Sequence, residues 1–69
     1  MNLIDIQPNG QPRQIAAGSS LLDLLTLEGL HERRLAIEIN LDIIPRARHG
    51  SHVLQVGDRI EIVHALGGG

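Results

Sequence analysis

The chain shows several stretches in which apolar and polar residues alternate, and this is the periodicity of a β-strand. Ile4 and Ile6 alternate with polar neighbours near the N-terminus. The same alternation predicts strands over residues 35–39 and 59–64, and the second is the clearest in the chain. In both we expect the isoleucines to face the core.

The first strand is followed by a predicted hairpin turn at Asn9-Gly10. This dipeptide suits a type I′ turn, which needs positive φ at both central positions. Residues 13–16 then form the return strand. Pro8 and Pro12 flank the turn, and because each lacks a backbone donor, they fit a hairpin tip or an edge strand.

One amphipathic helix is predicted after the hairpin. Ser20 is the expected N-cap, its hydroxyl accepting from the backbone three residues on, and Asp23 lies in the first turn. Gly29 is the expected terminator, and Leu30 packs from the loop that follows. Four leucines are expected to share the buried face of the helix: Leu21, Leu22, Leu24 and Leu25.

The second half contains shorter elements. A turn is expected at 40–42, a short strand at Ile43-Ile44 that Pro45 ends, and an irregular polar stretch over 46–55 with one helical turn. A hairpin, a helix and then further strands favour an α+β domain with a mixed sheet and one helix across one face.

Composition excludes several classes of function. The chain has 69 residues, no cysteine, no aromatic residue and a formal net charge of -2. Thiolate catalysis and cysteine-based metal sites are therefore absent, and a nucleic-acid role is not expected without a basic field or rings for stacking. No apolar stretch approaches the roughly 20 residues of a membrane span, and the N-terminus does not resemble a signal peptide, so we expect a cytoplasmic protein.

The sequence ends with three glycines, which contribute nothing to a core. From Ala65 to Gly69 an extended chain reaches about 17 Å. Such a tail has no bulky side chain after Leu66 and can enter a narrow channel in another protein. Disordered terminal residues are the alternative interpretation of the same glycines.

The order and spacing of several motifs resemble those of the ubiquitin-like sulfur carriers of thiamine biosynthesis. No single motif is specific, but together they run through nearly the whole chain to the terminal glycines. They are Gln7-Pro8-Asn9-Gly10, residues 17–25, residues 36–40, Ile43-Ile44-Pro45-Arg46 and residues 57–63.

The resemblance implies a ubiquitin-like β-grasp fold with a mixed four- to five-stranded sheet over residues 1–64, and a flexible tail over 65–69. It implies that an E1-like adenylyltransferase uses ATP to adenylate the carboxylate of Gly69. A persulfide or cysteine-desulfurase donor then converts it to a thiocarboxylate, which passes sulfur to a thiazole synthase. The chain would be a carrier and not an enzyme, with no cofactor of its own.

Other residues receive supporting roles in this interpretation. Gly67 and Gly68 would thread into partner active sites. Four residues are candidates for partner docking: Ala65, Leu66, Val63 and Arg46. Two alternatives stay open, since Arg46 can equally be an ordinary surface charge and Val63 can be covered by the loop near Val53.

Two positions depart from the family pattern. Where the family usually has Asn-Gly, this chain has Asn40-Leu41, and because leucine is poorly suited to positive φ, this favours a turn of another type. Pro8 replaces an ordinary strand residue and leaves the end of the first strand open.

The remaining polar residues do not form a convincing catalytic or metal site. His49 and His52 are three apart, but without a cysteine or well-placed carboxylate they are better interpreted as solvated loop residues. Asp42 and Asp58 are expected to form turns.

Three other functions remain as alternatives to the thiamine carrier. One is the small subunit of molybdopterin synthase, although those relatives tend to carry an aromatic residue before the glycines. The others are a β-grasp module that binds partners non-covalently and a ubiquitin-like modifier joined to lysines.

Overall fold

The computed structural model describes residues 2–31 and 34–64. Within them the chain forms five strands, one α-helix and one short 3-10 helix, so the predicted α+β class is confirmed. In chain order these are β1 (Leu3–Pro8), β2 (Arg13–Ala16), α1 (Leu21–Leu27), β3 (Leu35–Ile39), β4 (Asp42–Ile43), the 3-10 helix (Arg46–Arg48) and β5 (Arg59–His64).

The strands form one mixed sheet in the order β2-β1-β5-β3-β4. The β1 and β5 strands are parallel neighbours, whereas the other pairs are antiparallel. A parallel pair cannot be joined by a tight turn, so the chain must cross over between them, and α1 lies in that crossover. In this strand order β5, the last strand of the chain, lies at the centre of the sheet.

The predicted hairpin between β1 and β2 is confirmed. Asn9 and Gly10 have φ values of 49° and 75°, and the Gln11 amide donates to the Pro8 carbonyl at 3.0 Å. The strand extends through Pro8, which settles where it ends. Pro12 lies directly before β2, where its missing backbone donor removes no strand hydrogen bond.

The helix begins at a capping box, as the sequence predicts. The Asp23 amide donates to the Ser20 hydroxyl at 3.1 Å, and the Ser20 amide donates to the Asp23 carboxylate at 2.9 Å. At the other end Glu28 is the C-cap and Gly29 has a φ of 71°, so the predicted terminator is also confirmed. A seven-residue helix is too short to be stable alone and depends on these ends and on its packing.

A single aliphatic core lies between α1 and one face of the sheet. Its buried members are Ile6, Ile15, Leu21, Leu24, Leu25, Ile37, Ile39, Leu54 and Ile60. Leu30 and Ile62 pack against this core, as predicted. Leu22 does not belong to it, since 40% of its surface is exposed. The prediction that four leucines share the buried face is wrong at this position, because Leu21, Leu24 and Leu25 fill the face toward the sheet and Leu22 lies beyond its edge around the helix.

The turn between β3 and β4 also corrects an expectation. Asn40 and Leu41 have φ values of 52° and 73°, so this turn has positive φ at both central positions despite the leucine. It connects the paired residues Ile39 and Asp42. The expectation of another turn type is therefore wrong, and Leu41 adopts a conformation that leucine rarely has.

The segment between β4 and β5 packs near the start of the helix. Pro45 precedes the predicted helical turn, and Val53 forms an isolated bridge with Ser20. Asp58 is buried and its carboxylate accepts from the Gln55 amide at 2.8 Å, which confirms its role as a turn former. In the two described stretches no helix combines the length and apolar character needed to cross a membrane.

Replacing Ser20 with alanine should lower the free energy of unfolding by about 1 kcal/mol, because the substitution removes the acceptor of the capping box. Chemical denaturation of both variants measures the effect. Ser51→Ala is the matched control, since the Ser51 hydroxyl is exposed and makes only a 3.4 Å contact to the Arg48 carbonyl. Equal stability of the two variants would contradict the importance of the cap.

Candidate functional site at the end of the last strand

The candidate site is the end of β5, from which the chain continues into the glycine tail. The β3 strand accompanies β5 from Ile60 to His64. The β1 strand pairs with it only at Arg59 and Ile60. Within the described residues, the end of β5 therefore has a strand neighbour on one side only. This places the start of the tail at an open end of the sheet.

Asn9 takes the place of the missing strand on the other side. Its amide donates to the Ile60 carbonyl at 2.7 Å, and its side-chain oxygen accepts from the Ile62 amide at 2.8 Å. The hydrogen bonding between β1 and β5 thus continues beyond the last paired residues, with the Asn9 side chain as the acceptor for Ile62. The positive φ of Asn9 turns the backbone away at this point, so the hairpin turn and the support of β5 depend on the same residue.

Five of the predicted site residues lie outside the described part of the chain. They are Ala65, Leu66, Gly67, Gly68 and Gly69. The attachment role of Gly69, the threading role of the other glycines, the docking role of Ala65 and Leu66 and the domain boundary after residue 64 stay predictions.

Val63 lies on the outer face of the sheet, which is the face away from α1. It is opposite Ala36 on β3, and 54% of its surface is exposed. The loop near Val53 does not cover it, because Val53 bridges Ser20 at the start of the helix. Of the two alternatives for Val63, the structure therefore favours the exposed one.

Arg46 is exposed and lies near the same end of the sheet as Val63. The Ile44 amide donates to the Ile37 carbonyl at 2.8 Å, which continues the β3–β4 register beyond β4. One step further along this register, Pro45 lies beside Ala36, the neighbour of Val63. The sheet register thus places Arg46, which follows Pro45, at the same end of the sheet as Val63, but two strands away from β5.

A shallow groove lies on the helix side of the same end. The apolar part of its lining comes from Pro8, Leu30 and Ile62, while Arg13 and Glu28 form an ion pair beside it. This pair links β2 to the end of α1. The sequence pattern did not indicate it, since the two residues are 15 positions apart.

The sequence pattern also did not predict that two aliphatic residues are exposed. Leu41 is 84% exposed and Ile43 is 73% exposed. Ile43 lies opposite Glu38, which in turn lies opposite Glu61 on β5. All three are on the outer face. Leu41 at the place where the family usually has glycine was the one signal in the sequence that this region is unusual.

His49 is not the solvated loop residue that the sequence predicted. It is 7% exposed, and its Nε2 lies 3.0 Å from the Ile44 carbonyl oxygen. Its own carbonyl accepts from the Leu22 amide at 2.8 Å. His49 therefore ties the 3-10 helix to β4 and α1. In residues 2–31 and 34–64 no three potential metal ligands come together.

Comparison with known proteins gives matches that span nearly the whole chain. A model of the ThiS family matches residues 6–69. The sulfur carrier protein ThiS of Escherichia coli is 34% identical over 61 residues, which cover 88% of this chain and 92% of that protein. A thiazole synthase of Magnetococcus marinus is 41% identical over 64 residues, or 93% of this chain. A second thiazole synthase, from Paramagnetospirillum magneticum, is 36% identical over 61 residues.

The chain spans only about a fifth of the length of these two thiazole synthases, 20% and 19% respectively. Among solved structures, the thiamine biosynthesis protein ThiS of Geobacter metallireducens superposes with a TM-score of 0.81 at 22% sequence identity. The match covers 96% of this chain and 100% of that one. The predicted β-grasp fold is thereby confirmed.

Replacing Asn9 with glycine keeps a residue suited to positive φ but removes the acceptor for the Ile62 amide. We expect that amide to exchange roughly tenfold faster with deuterium, the factor for a hydrogen bond worth about 1.4 kcal/mol. Asn9→Asp is the matched control, because its carboxylate can still accept. If Asn9→Gly exchanges at the wild-type rate, Asn9 does not support the end of β5.

Proposed function

Because the chain belongs to the ThiS family, we propose that it is a sulfur carrier for thiazole formation in thiamine biosynthesis. The observation that supports this most directly is the course of the last strand. It runs through the middle of the sheet, and in the sequence Ala65-Leu66 and then Gly67-Gly68-Gly69 follow it. A rigid central strand is a suitable base for a slender end that another enzyme must reach.

The proposed chemistry takes place at the carboxylate of Gly69. A carboxylate is a poor electrophile, so it first attacks the α-phosphorus of ATP, forming an acyl-adenylate while pyrophosphate leaves. The terminal sulfur of a persulfide then attacks the acyl carbon and AMP leaves. A thiol cleaves the remaining sulfur–sulfur bond and frees the thiocarboxylate. Glycine suits these steps because it presents an acyl carbon with no side chain to obstruct attack.

The chain itself is proposed to act as a substrate and not as an enzyme. ATP and the groups that stabilise its transferring phosphoryl charge belong to the adenylyltransferase. The sulfur donor is a persulfide enzyme such as a cysteine desulfurase, and a thiazole synthase receives the sulfur. We place this exchange in the cytoplasm. Names of two relatives, both thiazole synthases, support the last partner.

The folded domain is proposed to supply most of the binding energy. Gly67 and Gly68 offer a partner only backbone, so they give little affinity of their own. Val63 is exposed near the end of β5, Arg46 is exposed at the same end of the sheet, and Ala65 and Leu66 follow β5 directly in the sequence. Contacts at these residues would hold the domain against the entrance of the channel. Binding energy from parts of a substrate remote from the reaction can position the reacting group.

Incubation with ATP, the adenylyltransferase and a persulfide donor should add the mass of an oxygen-to-sulfur exchange to the intact chain. Tandem mass spectrometry should place the added sulfur on Gly69. A variant lacking Gly68-Gly69 should gain nothing, while its thermal unfolding matches that of the full chain, because glycine has no side chain to bury. Sulfur on an internal residue, or none on the full chain, would contradict the proposal.

A further inference from the structure

Leu41 combines two unfavourable properties in one residue. Its φ of 73° lies in the left-handed region, which costs a residue with a Cβ roughly 1–2 kcal/mol. Its side chain is 84% exposed, the largest value among the exposed large hydrophobic residues of the described chain. Glycine would relieve the backbone cost and expose no apolar side chain. Folding therefore gives no reason for a leucine here.

The conformation of Leu41 is imposed by its neighbours. The Asn40 amide donates to the Arg59 carbonyl at 2.9 Å, and the Asn40 side-chain oxygen accepts from the Arg59 amide at 3.0 Å. The Asn40 side-chain amide also donates to the buried Asp58 at 3.0 Å. These bonds fix the residue before Leu41, so the turn holds the leucine outward. Strained residues held in this way are typical of binding sites.

Two further exposed aliphatic residues lie on the outer face of the sheet. Ile43 follows the Leu41 turn on β4, and Val63 lies nearer the end of β5. Glu38 and Glu61 are paired carboxylates on the same face, with Arg59 as the neighbouring cation. In this part of the described surface negative charge is in excess. A complementary surface would thus be apolar at its centre and basic at its margin.

We propose that Leu41, together with Ile43, anchors the carrier to its adenylyltransferase, inserting into an apolar pocket that is bordered by arginine or lysine side chains. This inference rests on the proposed function. It adds a contact at the β3–β4 turn, which lies at the opposite end of the sheet from the end of β5.

The chemistry of the first step explains why the adenylyltransferase needs such an anchor. Before activation the tail ends in a carboxylate, which must approach the negatively charged phosphates of ATP. Because the glycines bring no side chains, the tail cannot offset this repulsion by its own contacts. The folded domain has to provide the affinity, and an apolar side chain bordered by opposite charges is well suited to this.

The position of the anchor also orients the tail. Asn40 pairs with Arg59 at the start of β5, whereas the tail begins after His64 at its end. Five residues of extended strand separate the two points by about 17 Å. Contacts at both ends of one strand would fix the direction in which the tail enters the active site, which a single contact could not do.

Leu41→Ala should raise the dissociation constant for the adenylyltransferase about tenfold, since it removes most of a buried leucine. Calorimetry without ATP measures this directly, and the KM for the carrier should rise by a similar factor with kcat unchanged. Leu27→Ala is the matched control, because Leu27 is also exposed, at 62%, but lies on the helix. Binding of the wild type should weaken as salt is added, because salt screens the basic margin.

Leu41→Gly separates binding from folding. Glycine tolerates the positive φ of the turn, so the thermal midpoint of the Leu41→Gly variant should equal or exceed that of the wild type. Its binding to the adenylyltransferase should be weakened as in Leu41→Ala. A lower midpoint would overturn the argument that folding disfavours the leucine.

Equal affinity of Leu41→Ala and Leu27→Ala for the adenylyltransferase would overturn the proposed anchor. So would weakened binding of Leu41→Ala to thiazole synthase alone, or a wild-type dimer that Leu41→Ala dissociates. These outcomes differ from a failure of the proposed function, in which the wild type acquires no thiocarboxylate at all.

Discussion

The position of β5 between β1 and β3 is the constraint on which the rest of this structure depends. Its Ile60 and Ile62 face the helix and complete the core, so the strand cannot shift without breaking the packing. Its outer face carries Glu61 and Val63 toward solvent. Because a strand presents alternate residues to opposite faces, the same six residues serve the core and the surface. The packing of β5 thereby fixes His64, the residue after which the tail begins in the sequence.

Hydrogen bonds from polar side chains add to the stabilisation that the small core provides. A chain of this size has limited surface to bury and no disulfide to constrain it. Ser20 caps the helix, Asn9 extends the ladder on β5, and Asn40 joins the β3–β4 turn to Asp58. Each of these residues lies at the end of an element. Together they determine where the strands stop, and thereby which surfaces are left for partners.

Local signals in the sequence predicted most of the fold, and the errors have physical causes. The Asn9-Gly10 turn, the cap at Ser20 and the alternating strands depend on neighbouring residues, so a single sequence contains them. The burial of His49, the exposure of Leu22 and the left-handed Leu41 depend on distant contacts. Val63 and Arg46 were predicted as two separate candidates, since only the sheet register shows that they lie at the same end of the sheet. The tail was indicated by its glycines alone.

The hydrogen bonds that hold β5 along both of its sides have a mechanical consequence. A force that pulls on the C-terminal end of the chain acts along β5, in the plane of the sheet. The hydrogen bonds to β3 and the contacts with Asn9 are then loaded together in shear and do not open one after another. A partner that grips and withdraws the tail would extract only the end, while the domain resists unfolding and can return for another cycle.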